Sequence, residues 1–221
     1  MNRYLALPIA IAAFCAPQAQ ASVVLGKPVT TTVNPTATAT VVLSSVLNAD
    51  TIGQTFVPTQ SYLTSMAFRF GSTTRTTTGT VTLALYAGAI AQNAALPASA
   101  LFSQQYALTG LPFRGVGDFT TLFTGQLAVT ANTAYTVVLS GTSNVALAFD
   151  HSEGYKPGYL LQTKLNDPTC RSTPGACDAS FRFTTATPVP EPASWAVMLG
   201  GFVLAGGAIR YRRRRTTVAF G

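Results

Sequence analysis

Residues 80–86 read Thr80-Val81-Thr82-Leu83-Ala84-Leu85-Tyr86, with a large aliphatic side chain at every second position. Successive side chains of a β-strand point to opposite faces, so Val81, Leu83 and Leu85 fall on one face of such a strand. This alternation is typical of a strand that buries one face in a core and leaves the other more polar.

Similar runs extend in both directions along the chain, separated by glycine- and proline-rich breaks. The predicted strands are Thr38–Leu47, Gly53–Val57, Leu63–Phe70, Thr80–Tyr86, Ala100–Tyr106, Phe119–Phe123, Ala134–Leu139, Val145–Asp150, Tyr159–Gln162 and Ala179–Thr184. Many short strands with regular spacing predict an all-β fold, specifically an antiparallel β-sandwich with a jelly-roll-like topology. The sandwich is expected at residues 38–187, after a Thr-rich lead-in at residues 22–37, with residues 185–189 as a short linker to the tail.

The formal charge of +7 is concentrated at the two ends of the chain. Residues 22–188 carry eight Lys or Arg against six Asp or Glu, a formal charge of +2. A domain so close to neutrality lacks the basic surface that nucleic-acid binding needs, and no nucleic-acid partner is expected.

The N-terminus has the features of a secretory signal peptide at residues 1–21. A short basic start at Arg3 precedes an apolar stretch that is too short to span a bilayer, and Ala19 and Ala21 form an A-x-A cleavage site before Ser22. We therefore expect export through the Sec translocon and cleavage by signal peptidase, with Cys15 leaving in the signal peptide.

The C-terminus has three parts in a fixed order: a short motif, an apolar segment and a basic cluster. The motif is Val189, Pro190, Glu191 and Pro192, and its prolines favour an extended backbone. The segment 193–209 carries no charge and would form a helix of about 25 Å, slightly short of the ~30 Å hydrocarbon core of a bilayer. Residues 216–221 are expected to be cytoplasmic, because the positive-inside rule retains the basic cluster on that side. The residues assigned to the span and its anchor are Trp195, Gly200, Gly201, Ile209, Arg210, Arg212, Arg213, Arg214 and Arg215.

This tail, residues 188–215, resembles the PEP-CTERM sorting signal of Gram-negative bacteria that make exopolysaccharide. The resemblance implies an exosortase, an integral-membrane cysteine transpeptidase, as the processing partner, with recognition at residues 189–192 and transient retention in the inner membrane. It also implies delivery to the cell surface or the extracellular matrix of a biofilm. An ordinary, permanent C-terminal membrane anchor is the alternative.

The remaining chain resembles the jelly-roll ectodomains of surface proteins with interchangeable anchors. The segments that carry this resemblance are residues 52–57, 63–68, 79–86, 134–140 with Leu127, and 178–183. They are core and turn residues, so they imply a fold and leave the function of the domain open.

Two cysteines, Cys170 and Cys177, remain after removal of the signal peptide. An even pair in an exported chain predicts a disulfide, and the Pro174-Gly175 turn between the two residues favours it. A zinc site is disfavoured because the sequence places no histidine near the two thiols.

The exported segment offers few candidate catalytic groups, and we expect no enzyme activity. The polar cluster Asp150-His151-Ser152-Glu153 is the strongest candidate, but neighbouring side chains in a loop diverge and the chain has no second histidine. A glycosidase would need two facing carboxylates, for example Asp118 with Asp150 or Glu153, and nothing in the sequence indicates that they meet.

Two kinds of binding remain open. Sugar binding would use aromatic rings in Gly/Pro-bounded loops, with Phe113, Tyr155 and Tyr159 as candidates. These rings could equally cover the ends of the core. No cofactor is expected, although a structural calcium ion held by Asp50, Asp150 or Asp167 is an alternative.

Overall fold

The chain is described here from a computed structural model that covers residues 23–34, 36, 39–42, 52–92, 94–151, 154–162, 170, 176–189 and 192–215. Its strands are β1 (Val29–Val33), β2 (Ala39–Val42), β3 (Ile52–Phe56), β4 (Tyr62–Ser72), β5 (Gly79–Ala87), β6 (Phe102–Leu108), β7 (Phe119–Ala128), β8 (Tyr135–Gly141), β9 (Val145–Asp150), β10 (Leu160–Gln162), β11 (Asp178–Ala179) and β12 (Phe181–Ala186). A single helix, Pro192–Arg215, follows the last strand in this part of the chain.

The strands form two antiparallel sheets. The first follows the order β10, β3, β8, β5, β6. The second is built on the long strand β4, which pairs with β12, β7 and β9, while β1 extends it beyond β12 and β2 and β11 pair with β9. The predicted antiparallel sandwich is confirmed, and the jelly-roll topology stays a prediction.

One continuous hydrophobic core lies between the two sheets. Val81, Leu83 and Leu85 of β5 are at most 2% exposed, as their alternation predicts. The ring of Phe56 in β3 lies 5.0 Å from that of Phe183 in β12, so the two sheets pack directly against each other. Burial of such aromatic and aliphatic side chains is the main source of stability in a sandwich of this kind.

The Thr-rich lead-in at residues 22–37, in which no strand was predicted, contains a strand in its central part. Residues Val29–Val33 form β1, which pairs in register with residues 181–185 of β12. The first two residues of β1 are exposed and the strand lies at an edge of its sheet, so the segment lacks the apolar alternation that would reveal it. β-Branched Val and Thr side chains favour the strand nonetheless.

The remaining predicted strands agree with the structure apart from their ends. β7 continues to Ala128 instead of ending at Phe123, and the last predicted strand is divided at Ser180 into β11 and β12. The division occurs because the chain changes its pairing partner at Ser180. The Ser180 amide donates to the Ala148 carbonyl of β9, while the Ser180 carbonyl accepts from the amide of Arg69 in β4. Residues 43–50, including the end of the first predicted strand, lie outside the described residues.

Candidate functional site

The sheet continues almost to the C-terminal motif, so the predicted linker at residues 185–189 belongs to the sandwich. β12 ends at Ala186, Leu25 and Pro188 form an isolated antiparallel bridge, and the Val189 amide donates to the Val24 carbonyl at 2.8 Å. Two residues then separate Val189 from Pro192, the first residue of the helix. Proline is well suited to that position because the first turn of a helix leaves its amides unpaired.

The structure describes two of the four predicted motif residues. Val189 is the last paired residue of the sheet and is 42% exposed, and Pro192 begins the helix. Pro190 and Glu191 lie outside the described residues, as do Ala19, Ala21 and Ser22 of the predicted signal cleavage site.

The helix presents its apolar side chains to the surroundings. Trp195 is 52% exposed, and Leu204 and Ile209 are more exposed still. Gly200, Gly201 and Arg210 are also exposed, and the basic residues Arg212, Arg213, Arg214 and Arg215 form the end of the helix. An apolar surface of this extent marks a site of contact with a membrane or another protein.

The prediction of a helix after the motif is confirmed, but the prediction of a transmembrane span is not. Within the described part of the chain, no helix combines the length and apolar character needed to cross a bilayer.

The predicted disulfide is confirmed between Cys170 and Cys177, whose Cα atoms are 5.2 Å apart. The argument that no histidine lies near these residues is wrong. The side chain of exposed His151 brings a ring nitrogen within 4.8 Å of both sulfurs, because β9 ends beside the disulfide. Since both sulfurs are engaged in the disulfide, they are not available as thiolate ligands in the oxidised chain.

The structure contradicts Tyr155 as a sugar contact. Its side chain is 9% exposed, and its ring packs edge-on against Phe181 at 5.5 Å. Its hydroxyl accepts from the Val57 amide and donates to the Val57 carbonyl. Burial is the main cause of the raised pKa of Tyr155; the charge of Asp178 raises it further, and the hydrogen bond to Val57 lowers it. Tyr155 is therefore part of the core and cannot offer a ring face to a sugar.

The other two aromatic candidates differ in accessibility. Tyr159 is half-buried and donates its hydroxyl to the Ile90 carbonyl at 2.8 Å. Phe113 is 42% exposed, and the Arg114 guanidinium lies 5.1 Å from the centre of its ring. Arg114 adopts φ of 52°, a left-handed conformation that is uncommon for a residue with a side chain.

A cavity of 320 Å³ lies beside Arg114. Its lining combines hydroxyl groups, one cation and small residues: Thr40, Ser72, Thr73, Arg114, Gly115 and Ala146. The loop that carries Phe113 and Arg114 is fixed to β4, because the Ser72 amide donates to Pro112 and the Arg114 amide donates to the Ser72 carbonyl. An exposed ring on a fixed loop, beside a cavity that combines polar and apolar groups, is an arrangement that can hold a sugar unit.

The structure also reveals a buried polar network that sequence reasoning missed. The carboxylate of Asp178, which is fully buried in β11, accepts from Gln54 Nε2 at 2.9 Å and from the Tyr155 amide at 2.8 Å. Gln54, equally buried in β3, accepts from the Ala179 amide at 2.7 Å. The network links strands of the two sheets and satisfies polar groups whose burial would otherwise be costly.

The structure describes only some of the residues predicted for the polar loop and for a calcium site. The Asp150 carboxylate accepts from the His151 amide at 2.8 Å at the end of β9, and Asp118 is exposed. Glu153, Asp50 and Asp167 lie outside the described residues, so calcium binding and a facing carboxylate pair stay untested.

The comparison with known families agrees with the C-terminal geometry. The family model described as the PEP-CTERM protein-sorting motif matches residues 188–215. These are the same residues that the sequence resemblance assigned to the sorting tail. No curated protein matches the chain. The chain thus carries a PEP-CTERM motif, which implies exosortase-dependent sorting of an exported, cell-surface-directed protein.

Proposed function

We propose that this PEP-CTERM chain is a non-enzymatic β-sandwich protein that an exosortase processes at its tail and delivers to the cell surface or the exopolysaccharide matrix. The sorting motif at residues 188–215 is the observation that carries the proposal. Its direct attachment to a folded sandwich makes the sandwich the delivered part. The low charge of the sandwich supports a structural role, and so do Asp150 and Asp178, whose carboxylates are engaged with backbone amides.

Each part of the tail has a separate role in this proposal. Glu191 and its flanking prolines are recognised by the exosortase, since Glu191 is the one charged residue among the four of the motif. Residues 193–209 hold the precursor at the inner membrane, and a segment of marginal length suits temporary better than permanent retention. Arg210 and Arg212 to Arg215 keep the C-terminus in the cytoplasm.

Fractionation of the native host tests the destination. We expect the sandwich in the outer surface and medium fractions, with a minor precursor pool in the inner membrane. Recovery of nearly all the protein from the inner membrane, in a form that detergent but not salt releases, would instead indicate a permanent anchor. A known inner-membrane protein and a known secreted protein serve as fractionation controls.

Carbohydrate binding is a second candidate function of the sandwich, and Phe113 with Arg114 favours it. An exposed ring can stack on the apolar face of a sugar, while Arg114 and the exposed residues Thr40 and Thr73 of the neighbouring cavity can bind its polar groups. Arg114 would favour a sugar that carries an acidic substituent.

We expect Phe113→Ala to weaken binding to the host's own exopolysaccharide about tenfold, equivalent to about 1.4 kcal/mol. Leu101→Ala is the matched control, because Leu101 is a comparably exposed apolar residue, at 50%, that unlike Phe113 has no cavity-lining residue next to it in sequence. Affinity electrophoresis in gels containing the polysaccharide measures the change. Equal retardation of the two variants would exclude Phe113 as a contact, and no retardation of the wild-type protein would remove this candidate function.

A further inference from the structure

The segment before β1 covers the backbone of the residues that lead into the sorting motif. We call residues 23–27 the N-terminal strap. The Gly26 amide donates to the Thr187 carbonyl at 2.8 Å, and the Val189 amide donates to the Val24 carbonyl at the same distance. Leu25 faces Pro188 across the bridge between these two hydrogen bonds. The strap thus occupies one hydrogen-bonding edge of residues 187–189.

This pairing reaches the first residue of the motif. Val189 is paired with the strap, and only two residues separate it from the helix at Pro192. An enzyme that binds an extended peptide does so largely through backbone hydrogen bonds along the strand. The amide of Val189 cannot serve both the strap and such an enzyme, so binding of residues on the N-terminal side of Pro190 requires the strap to leave.

The strap is suited to open without unfolding the sandwich. Val24 is 48% exposed, and neither Leu25 nor Gly26 is buried, so the strap contributes little to the core. Beyond the two hydrogen bonds to residues 187 and 189, the described contacts include a weak one from Gln126 Nε2 to the Val23 carbonyl at 3.3 Å. Edge segments with few buried contacts open locally far more often than core strands.

We infer that the N-terminal strap gates the sorting motif: its opening precedes exosortase binding and limits the rate at which the folded precursor is processed. This inference rests on the proposed processing at residues 188–215. It makes a segment at the opposite end of the sequence, next to the predicted signal cleavage site, a determinant of processing of the tail.

Gly26→Pro tests the gate because it removes one amide donor from the pairing. Gly26→Ala is the matched control: its added Cβ would lie 3.4 Å from the Thr187 carbonyl oxygen, an ordinary contact, and its amide is retained. In full-length chains expressed in the native host, we expect pulse-chase labelling to show conversion of Gly26→Pro about five- to tenfold faster than that of Gly26→Ala, the effect of losing one hydrogen bond.

A second measurement detects opening of the strap directly, independently of the processing rate of the tail. Hydrogen exchange in the purified chain should show faster exchange at the Val189 amide in Gly26→Pro, with the melting temperature lowered by no more than about 2–4 °C, since loss of one hydrogen bond costs about 1 kcal/mol. Unchanged exchange would contradict the pairing, and faster exchange with unaltered or slower processing would contradict the gate. Failure of the wild-type chain to be processed at all would instead overturn the proposed function, and the gate with it.

Discussion

Replacement of Pro190, Glu191 and Pro192 by alanine is expected to leave unprocessed precursor in the inner membrane. We expect the processing rate to fall by a factor on the order of a hundred or more, because a site built to bind a charged group rejects a substrate that lacks it. The substitutions also remove the restraint that two prolines place on the backbone, so that helix can extend into the motif. Pulse-chase labelling followed by membrane fractionation measures the conversion.

Two further variants make this result specific. Glu191→Gln keeps the prolines and the side-chain shape and removes only the charge, so it should retain the extended motif and still be processed slowly. Pro97→Ala with Asp118→Ala removes an exposed proline and an exposed acid from the sandwich and should be processed normally. Normal processing of the triple alanine variant would contradict the assignment of residues 189–192 as the sorting motif.

The second large effect is expected at Asp178. Its two carboxylate oxygens accept from two donors, Gln54 Nε2 and the Tyr155 amide, in a site that excludes water. Asparagine offers one acceptor oxygen and one NH2 group, which is a donor. One of the two present donors, Gln54 Nε2 or the Tyr155 amide, would then face this NH2 group instead of an acceptor. We expect Asp178→Asn to lower the free energy of unfolding by about 1–3 kcal/mol, the usual cost of a buried polar group left without a partner.

Thermal or chemical denaturation of the purified protein with its disulfide intact measures this change. A domain of this size should lose roughly 2–4 °C of melting temperature per kcal/mol. Asp118→Asn is the matched control, since Asp118 is exposed, and it should have almost no effect. Equal stability of the two variants would show that the network contributes little to joining the sheets.

Features that depend on residues close in sequence could be predicted. The alternation at residues 80–86 predicted the correct strand and the face that enters the main core, because the side-chain period of a strand is a local property. It did not predict that Ala84 and Tyr86 on the opposite face are buried as well. The tail was assigned to residues 188–215 for the same reason, since its motif, apolar segment and basic cluster follow one another directly. The disulfide was predictable because both cysteines lie within eight residues of sequence, with a Pro-Gly pair between them.

Features that depend on distant pairing could not be predicted. β1 is a Thr-rich edge strand whose partner is about 150 residues away, so no local apolar pattern marks it. Gln54 and Asp178 meet only because the two sheets stack, and Tyr155 is buried by the same packing although its Gly-rich surroundings resemble an exposed loop. The approach of His151 to the disulfide likewise depends on where β9 ends in the sheet.

One folded sandwich lies between two expected processing sites, at residues 21–22 and near residues 190–192. The intact mass of the protein from the medium and from the membranes of the native host tests both at once. We predict a mature species that begins at Ser22 and ends near Pro190–Pro192, with or without an attached group. A chain recovered from membranes that still ends at Gly221 would contradict exosortase processing and would make the tail a plain anchor.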